Sequence, residues 1–312
     1  MSASESPAPI GSADLAKARI EPLRWVVERI LPEGLTLLVG KPKLGKSWLA
    51  LHMAVEVALG GRVMGQLGVT PTPVHYFALE DGQRRLQARQ AIVYGPRPPS
   101  NDLTFALALP QLDKGGLEAV RAVAAGGAGL IIIDTFGRVQ PPQAGNRNSY
   151  AAEYGLVGAL QQIAQQARIA ILLVHHERKS VEGDRAGYML DKVLGTTGIT
   201  GAADNTIILQ AEDDGVRRLY LTGRDVEAQD FAYAVDLQQG TWAITENINA
   251  SAECEEVLGL LRQSAPNALR ADEIARALRK SDRTVRKHLK TLVGMGLVGQ
   301  SAAGRYVAAG LS

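Results

Sequence analysis

Eight consecutive residues, Gly40-Lys41-Pro42-Lys43-Leu44-Gly45-Lys46-Ser47, have the types and spacing of a loop that wraps phosphates. Its glycines let the backbone close around a phosphate so that successive N–H groups point at it. A helix opening at Lys46 would add the positive end of its dipole. The Lys46 ammonium is then placed for the β- and γ-phosphates of ATP, and the Ser47 hydroxyl for Mg2+. On this basis the nucleotide-binding segment runs from Gly40 to Trp48.

Three further segments carry groups that such a site needs. Leu130-Ile-Ile-Ile-Asp134 is an apolar run ending in a carboxylate, which places Asp134 at the ligand-binding edge of a sheet, where it can hold a magnesium-bound water. Val74-His-Tyr-Phe-Ala-Leu-Glu80-Asp81 ends in two acids, and a water attacking a γ-phosphate needs one carboxylate to orient it and accept its proton. Glu80 is the expected base; Asp81 is the neighbouring alternative, or a helix N-cap. Ile171-Leu-Leu-Val-His175-His176 ends in two histidines that face opposite ways on a strand, so they cannot easily ligate one metal together. His176 is the expected sensor of the γ-phosphate, and a purely structural histidine is the competing reading.

These residues require a scaffold of alternating elements. Apolar runs predict strands at Leu35–Gly40, Val74–Leu79, Leu103–Leu109, Leu130–Thr135 and Ile169–His175. Helical periodicity lies between them, at Ser47–Leu59, Gln83–Tyr94, Leu117–Ala125 and Tyr150–Arg168, the last with Leu156, Leu160, Ile163 and Ala167 on one side. Alternation of this kind implies an α/β fold with a mainly parallel sheet and helices on both faces. Thr206–Gln210, Arg218–Thr222, Phe231–Leu237 and Thr241–Thr245 follow one another without helices and predict an antiparallel extension.

The order of these segments resembles the RecA-like ATPases. Within that group it is similar to the hexameric plasmid replication helicases of the RepA type and to related ATPases of phages and mobile elements. The residues that carry the resemblance are GKPKLGKSWLALHMAVEVALGG, YFALEDG, LIIIDTF, LLVHHERK and GTTGITGAADNTIIL, within residues 31–225. The resemblance implies Glu80 as base, Asp134 as magnesium partner and His176 as γ-phosphate sensor. It also implies hydrolysis at subunit interfaces of a homo-oligomer, as in a hexamer, with Arg224 as the basic finger given to the neighbour. In such rings the region between His176 and Gly195 faces a central channel. Arg178, Lys179, Arg185 and Lys192 would there track single-stranded DNA, with Tyr188 the aromatic at hand for base stacking.

After polar Asn247–Ser251 the period changes, so the expected organisation is an N-terminal arm at 1–24, an ATPase domain at 25–246, a linker at 247–251 and a second domain at 252–312. Helices are expected at Ala252–Ser264, Ala271–Arg279 and Asp282–Val293, then short strands at Leu297–Gln300 and Arg305–Ala308, an order that looks like a winged helix. Ser281 is placed as an N-cap. Between Arg270 and Lys290 eight Lys/Arg oppose three acids, a net +5. Arg283, Thr284, Arg286, Lys287 and Lys290 would meet duplex DNA, the charges supplying phosphate contacts. A protein-interaction module would tolerate the same charges.

Composition narrows the class without choosing the partner. Of 312 residues 46% are hydrophobic and 21% charged, ordinary for a globular chain, and the net charge of +2 says little. The lone Cys254 excludes an internal disulfide framework and a cysteine-built zinc site, and fits a cytoplasmic setting. No run approaches the ~18 apolar residues of a membrane span. A motor or remodeller acting on DNA is the expected function. A nucleotide-switched DNA-binding regulator and a recombinase-like filament former are its rivals.

Overall fold

The computed structural model describes residues 10–141, 149–176, 198–211, 216–247, 252–264, 267–294, 298–300 and 304–308. Its alternating elements are β1 (Gly34–Gly40), α1 (Lys46–Leu59), β2 (Val74–Ala78), α2 (Gln83–Tyr94), β3 (Leu103–Ala106), α3 (Leu117–Ala125), β4 (Leu130–Asp134), α4 (Ser149–Ala167) and β5 (Ala170–His176). Strands β6 (Asn205–Ala211), β7 (Arg217–Gly223), β8 (Gln229–Asp236) and β9 (Thr241–Asn247) follow. All nine join one sheet in the order β9-β8-β7-β6-β1-β5-β4-β2-β3. From β6 through β1, β5, β4 and β2 to β3 the strands run parallel to one another, and the pairings β6-β7, β7-β8 and β8-β9 are antiparallel.

Strand alternation sorts the core into two layers. Leu38, Leu130, Ile132, Leu172 and Val174 pack with α1 on one face. Leu35, Leu37, Val39, Ile131, Ile133, Ile171 and Leu173 pack with α3 and α4 on the other. The buried stripe of α4 is Val157, Leu160, Ile163 and Ala164, whereas the expected Ala167 is exposed. The sequence pattern of that helix admits both stripes, and the sheet selects the one centred on Val157. Strand β3 stops at Ala106, the last residue paired to β2, instead of reaching Leu109.

Helix α1 differs from the other helices because it lacks a solvent face. Every residue from Leu49 to Ala58 is buried, as expected of a helix apolar around nearly its whole circumference. The sheet covers one side, and the antiparallel strands reach the other region around it. Ile244 N–H donates to the Met64 carbonyl at 3.3 Å, and the Gln66 side chain donates to the Ile244 carbonyl at 3.1 Å.

Two polar residues of α1 are buried with specific partners. Glu56 accepts from both terminal nitrogens of Arg97, at 2.7 and 3.0 Å. His52 Nε2 accepts the Met64 N–H at 3.1 Å. A ring that accepts there must be neutral at that nitrogen, and burial pulls the His52 pKa down to about 4, with Glu56 opposing and Arg97 assisting the fall.

From Ala252 the chain forms α5 (Ala252–Ser264), a short strand Leu269–Arg270, α6 (Ala271–Leu278), α7 (Asp282–Gly294), β10 (Val298–Gln300) and β11 (Arg305–Ala308). Their apolar residues, including Val257, Leu261, Ile274, Val285, Leu289 and Tyr306, make a third cluster of their own. The turn between α6 and α7 holds Arg279 at φ 53°, and the Ser281 hydroxyl accepts the Thr284 N–H at 3.1 Å, the expected N-cap.

The His52 environment predicts a pH dependence. Between pH 6.5 and about 4 the unfolded chain binds a proton at His52 that the folded chain excludes, so stability falls as pH falls through that window. The full loss is about 3 kcal/mol. Denaturant unfolding of wild type and His52→Gln at pH 7 and pH 5 should show a smaller acid-induced loss in the variant. An identical loss in both would contradict the neutral, buried imidazole.

Candidate nucleotide site

The registry of four strands assembles the site. Gly40, the last residue of β1, pairs with His176, the last of β5. Asp134 ends β4 opposite Val174, and Ala78 ends β2 opposite Asp134. Glu80 therefore leaves the sheet two residues past Ala78 at the edge that carries the phosphate loop.

Within the loop, Gly40 and Gly45 are required by space as well as conformation. A Cβ on Gly40 would lie 2.7 Å from the Leu209 carbonyl oxygen, and one on Gly45, at φ 91°, would lie 3.3 Å from the Trp242 ring. Lys41, Pro42 and Lys43 are exposed, while Leu44 packs partly against the core under α1. Lys43 has φ 69°, a left-handed conformation that costs a residue with a Cβ about 1–2 kcal/mol. Lys46 is 3% exposed, and its ammonium donates to the carbonyls of Gly40 at 2.7 Å and Lys41 at 3.0 Å. Trp48 is half-buried beneath the Arg89 guanidinium, 5.2 Å from its ring centre.

Asp134 lies at the floor of the site, 4% exposed. Its Oδ2 accepts the Tyr76 hydroxyl at 2.8 Å, and its Oδ1 is buried with no hydrogen-bond partner among the described residues. Burial pushes the Asp134 pKa above the ordinary carboxylate value; hydrogen bonds from Tyr76 and Ser47 oppose that, and the charges of Glu80 and Asp81 add to it. A buried carboxylate beside a serine hydroxyl, with one oxygen unsatisfied, has the donor chemistry of a magnesium site. These residues fit the metal that a phosphate loop implies.

The two acids after β2 have separate environments. Asp81 is bound by Arg89 at 2.6 Å and Arg85 at 3.4 Å, so its charge is already met. Glu80 is 43% exposed in its side chain, with its Oε2 3.6 Å from His176 Nε2 and its Oε1 3.5 Å from Thr135 Oγ1. His176 Nδ1 is buried without a hydrogen-bond partner among the described residues. His175 points the other way as expected, buried edge-on against Phe136 at 5.9 Å.

Other expected site residues lie elsewhere. Arg224 follows Gly223, which pairs with Asn205 and through it with Thr36, so it stands at the opposite edge of the sheet from Gly40. Four strand residues separate the two edges, roughly 13 Å. Its guanidinium donates to the Gly201 carbonyl at 2.7 Å. Arg178, Lys179, Arg185, Tyr188 and Lys192 lie outside the described residues. On α7, Arg283, Arg286, Lys287 and Lys290 are exposed at helical spacing, and Thr284 is half-buried. Arg286 is paired with Asp282 at 2.6 Å.

Tyr76 and Trp242 were not singled out in the sequence. Alternation of Val74, Tyr76 and Ala78 on one face was the available signal for Tyr76. Trp242 is 202 residues from Gly40 in sequence and carried no local signal.

A family model described as the AAA domain matches residues 3–182, and one described as bacterial regulatory protein, arsR family, matches residues 256–299. Among solved structures, the ATPase domain of G40P is similar with a TM-score of 0.53 and 15% identity, over 69% of this chain and 85% of that one. A KaiC-like protein from the hyperthermophilic archaeon Pyrococcus horikoshii OT3 aligns with a TM-score of 0.46 and 16% identity, over 72% of this chain and 100% of that one. The G40P likeness is one of fold, a RecA-like sheet, and the arsR-type match agrees with the winged-helix order of α5 to β11. With a phosphate loop at the head of a buried helix and more than half its length under the first model, the chain belongs to the AAA domain family of P-loop ATPases.

Proposed function

We propose that this chain is an ATP-hydrolysing motor or remodeller that acts on DNA as a ring of subunits. The observation that carries the ATPase half is the convergence of Lys46, Ser47, Asp134, Glu80 and His176 at one sheet edge. Lys46 holds the β- and γ-phosphates with its ammonium, and the loop amides between Gly40 and Trp48 hold the remainder. Ser47 and Asp134 would hold magnesium, which would neutralise charge on the phosphates. Tyr76 keeps Asp134 oriented, and remains a donor because burial, with the Asp134 charge, pushes its own pKa up.

Glu80 orients the attacking water and takes its proton, since Asp81 is tied to two arginines and Glu80 is open to solvent. His176 ends its strand in register with the first glycine of the loop and stands 3.6 Å from Glu80, which suits a group that registers the γ-phosphate. Arg224 is too far along the sheet to serve its own loop, so any part it takes in hydrolysis would have to be at a neighbour's nucleotide.

The DNA half rests on the exposed stripe Arg283, Arg286, Lys287 and Lys290 on α7. Such a stripe meets a phosphate backbone, with Thr284 at its margin. The match to bacterial regulatory proteins favours one second reading, a nucleotide-switched DNA-binding regulator that unwinds nothing.

Lys46→Ala should abolish hydrolysis and weaken ATP binding strongly, while Glu80→Gln should bind ATP and hydrolyse it at least about 100-fold more slowly. Mixing inactive Lys46→Ala with inactive Arg224→Ala should restore part of the activity at interfaces with one intact loop and one intact finger. Wild-type turnover in folded Lys46→Ala, or no recovery in verified mixed particles, contradicts the corresponding role. Changing Arg283, Arg286 and Lys287 together to Ala should weaken duplex binding and flatten its salt dependence, since each lost phosphate contact releases fewer counterions. Unchanged duplex affinity at low salt would make the stripe a protein-facing or merely solvated surface.

A further inference from the structure

Lys43 is the one lysine of the phosphate loop whose backbone is strained. Its φ of 69° lies in the left-handed region, which glycine enters freely and a residue with a Cβ does not. Gly45, two residues on, meets a similar demand, at φ 91°, with a glycine. Lys43 is exposed and makes no hydrogen bond or ion pair among the described residues, so no polar contact among them compensates the strain. Strain that persists in a functional loop without such compensation points to a use for the side chain.

The charges around the loop say what that use is. Ala78 ends its strand opposite Asp134, so Glu80 and Asp81, which follow it, gather with Asp134 as three carboxylates at one edge of the sheet. Arg85 and Arg89 answer Asp81, but Glu80 and Asp134 have no lysine or arginine partner among the described residues. Lys46 is buried at the floor, against the Gly40 and Lys41 carbonyls, on the side where loop amides enclose a β-phosphate. A terminal phosphate would lie farther out, toward Glu80 and His176, and bring more negative charge to an edge already rich in it. Lys43 stands on the solvent-facing arc of the same loop with an uncommitted ammonium.

We propose that Lys43 is a second phosphate cation, which selects a nucleoside triphosphate over a diphosphate by meeting the γ-phosphate from the outer arc of the loop. This rests on the phosphate-loop reading above. It assigns the loop a division of labour: Lys46 holds nucleotide of either kind, and Lys43 senses whether the terminal phosphate is present.

The test is calorimetric titration of the full chain with MgADP and with a magnesium-bound, non-hydrolysable ATP analogue, in wild type and in Lys43→Gly, Lys43→Ala, Lys43→Arg, Lys41→Ala and Lys46→Ala. The preference for the triphosphate analogue should fall roughly tenfold in Lys43→Gly and Lys43→Ala, the scale of one charge-assisted hydrogen bond. Lys43→Arg should keep most of it. Lys43→Gly should also melt about 2 °C higher, because glycine relieves the left-handed strain, so lost selectivity cannot be ascribed to misfolding. A wild-type preference in Lys43→Gly and Lys43→Ala overturns the proposal. So does an equal loss in Lys41→Ala, which would make the effect general electrostatics. Normal binding of both nucleotides by Lys46→Ala would overturn the phosphate-loop reading instead, which keeps the two failures apart.

Discussion

The burial of α1 on all sides is the constraint from which the site follows. A helix whose residues from Leu49 to Ala58 are all enclosed cannot rotate or slide without exposing apolar surface or stranding Glu56 and His52. Its amino end is therefore fixed at the carboxyl edge of the sheet, and the loop from Gly40 to Gly45 must span a set distance in a set conformation. The antiparallel strands complete the enclosure. Trp242 lies against the space a Gly45 side chain would need, and a Cβ on Gly240 would come within 3.0 Å of the backbone at Ile92 and Val93. Strands distant in sequence from the phosphate loop thus help to hold its shape, and Arg97 holds the far end of the helix through Glu56.

Much of this was legible in the sequence, for identifiable reasons. Strands buried on both faces read as apolar runs, so β1, β4 and β5 were found within a residue or two of their ends. The phosphate loop and Asp134 were legible because their chemistry demands a fixed residue order beside a strand. The opposed histidines followed from the period of two, and the Ser281 cap from its position before α7. What stayed hidden depends on partners far along the chain. Tyr76 on Asp134, Arg97 on Glu56 and Trp242 on Gly45 are long-range pairings that no local period encodes. The stripe of α4 shifted toward Val157 for a related reason: alanines at both margins left the choice to the sheet. The two-residue ladders Arg62–Val63 with Leu67–Gly68 and Leu31–Pro32 with Trp25–Val27 were too short to carry an alternating pattern.

The separation of the apolar clusters gives the chain two kinds of surface. Residues up to Asn247 place anionic and phosphate-binding groups at one sheet edge, and residues from Ala252 build their own small core under an exposed basic helix. Hydrolysis and duplex contact would then use different residues, joined by the chain between β9 and α5. The three acids of α6 and α7 are met locally, Asp272 by Arg276, Glu273 by the Arg270 N–H and Arg305, and Asp282 by Arg286, and the remaining basic residues leave a surplus of positive charge on that surface. No helix among the described residues is long and apolar enough to cross a membrane.

Whether nucleotide turnover is coupled to DNA is tested most directly by the rate of ATP hydrolysis of the full chain without DNA, with single-stranded DNA and with duplex, each read beside the particle mass in solution. A motor or remodeller built as proposed should hydrolyse ATP as a multi-subunit particle and turn over several-fold faster when single-stranded DNA is added. Turnover indifferent to either form of DNA, in a particle of one subunit's mass, would contradict it.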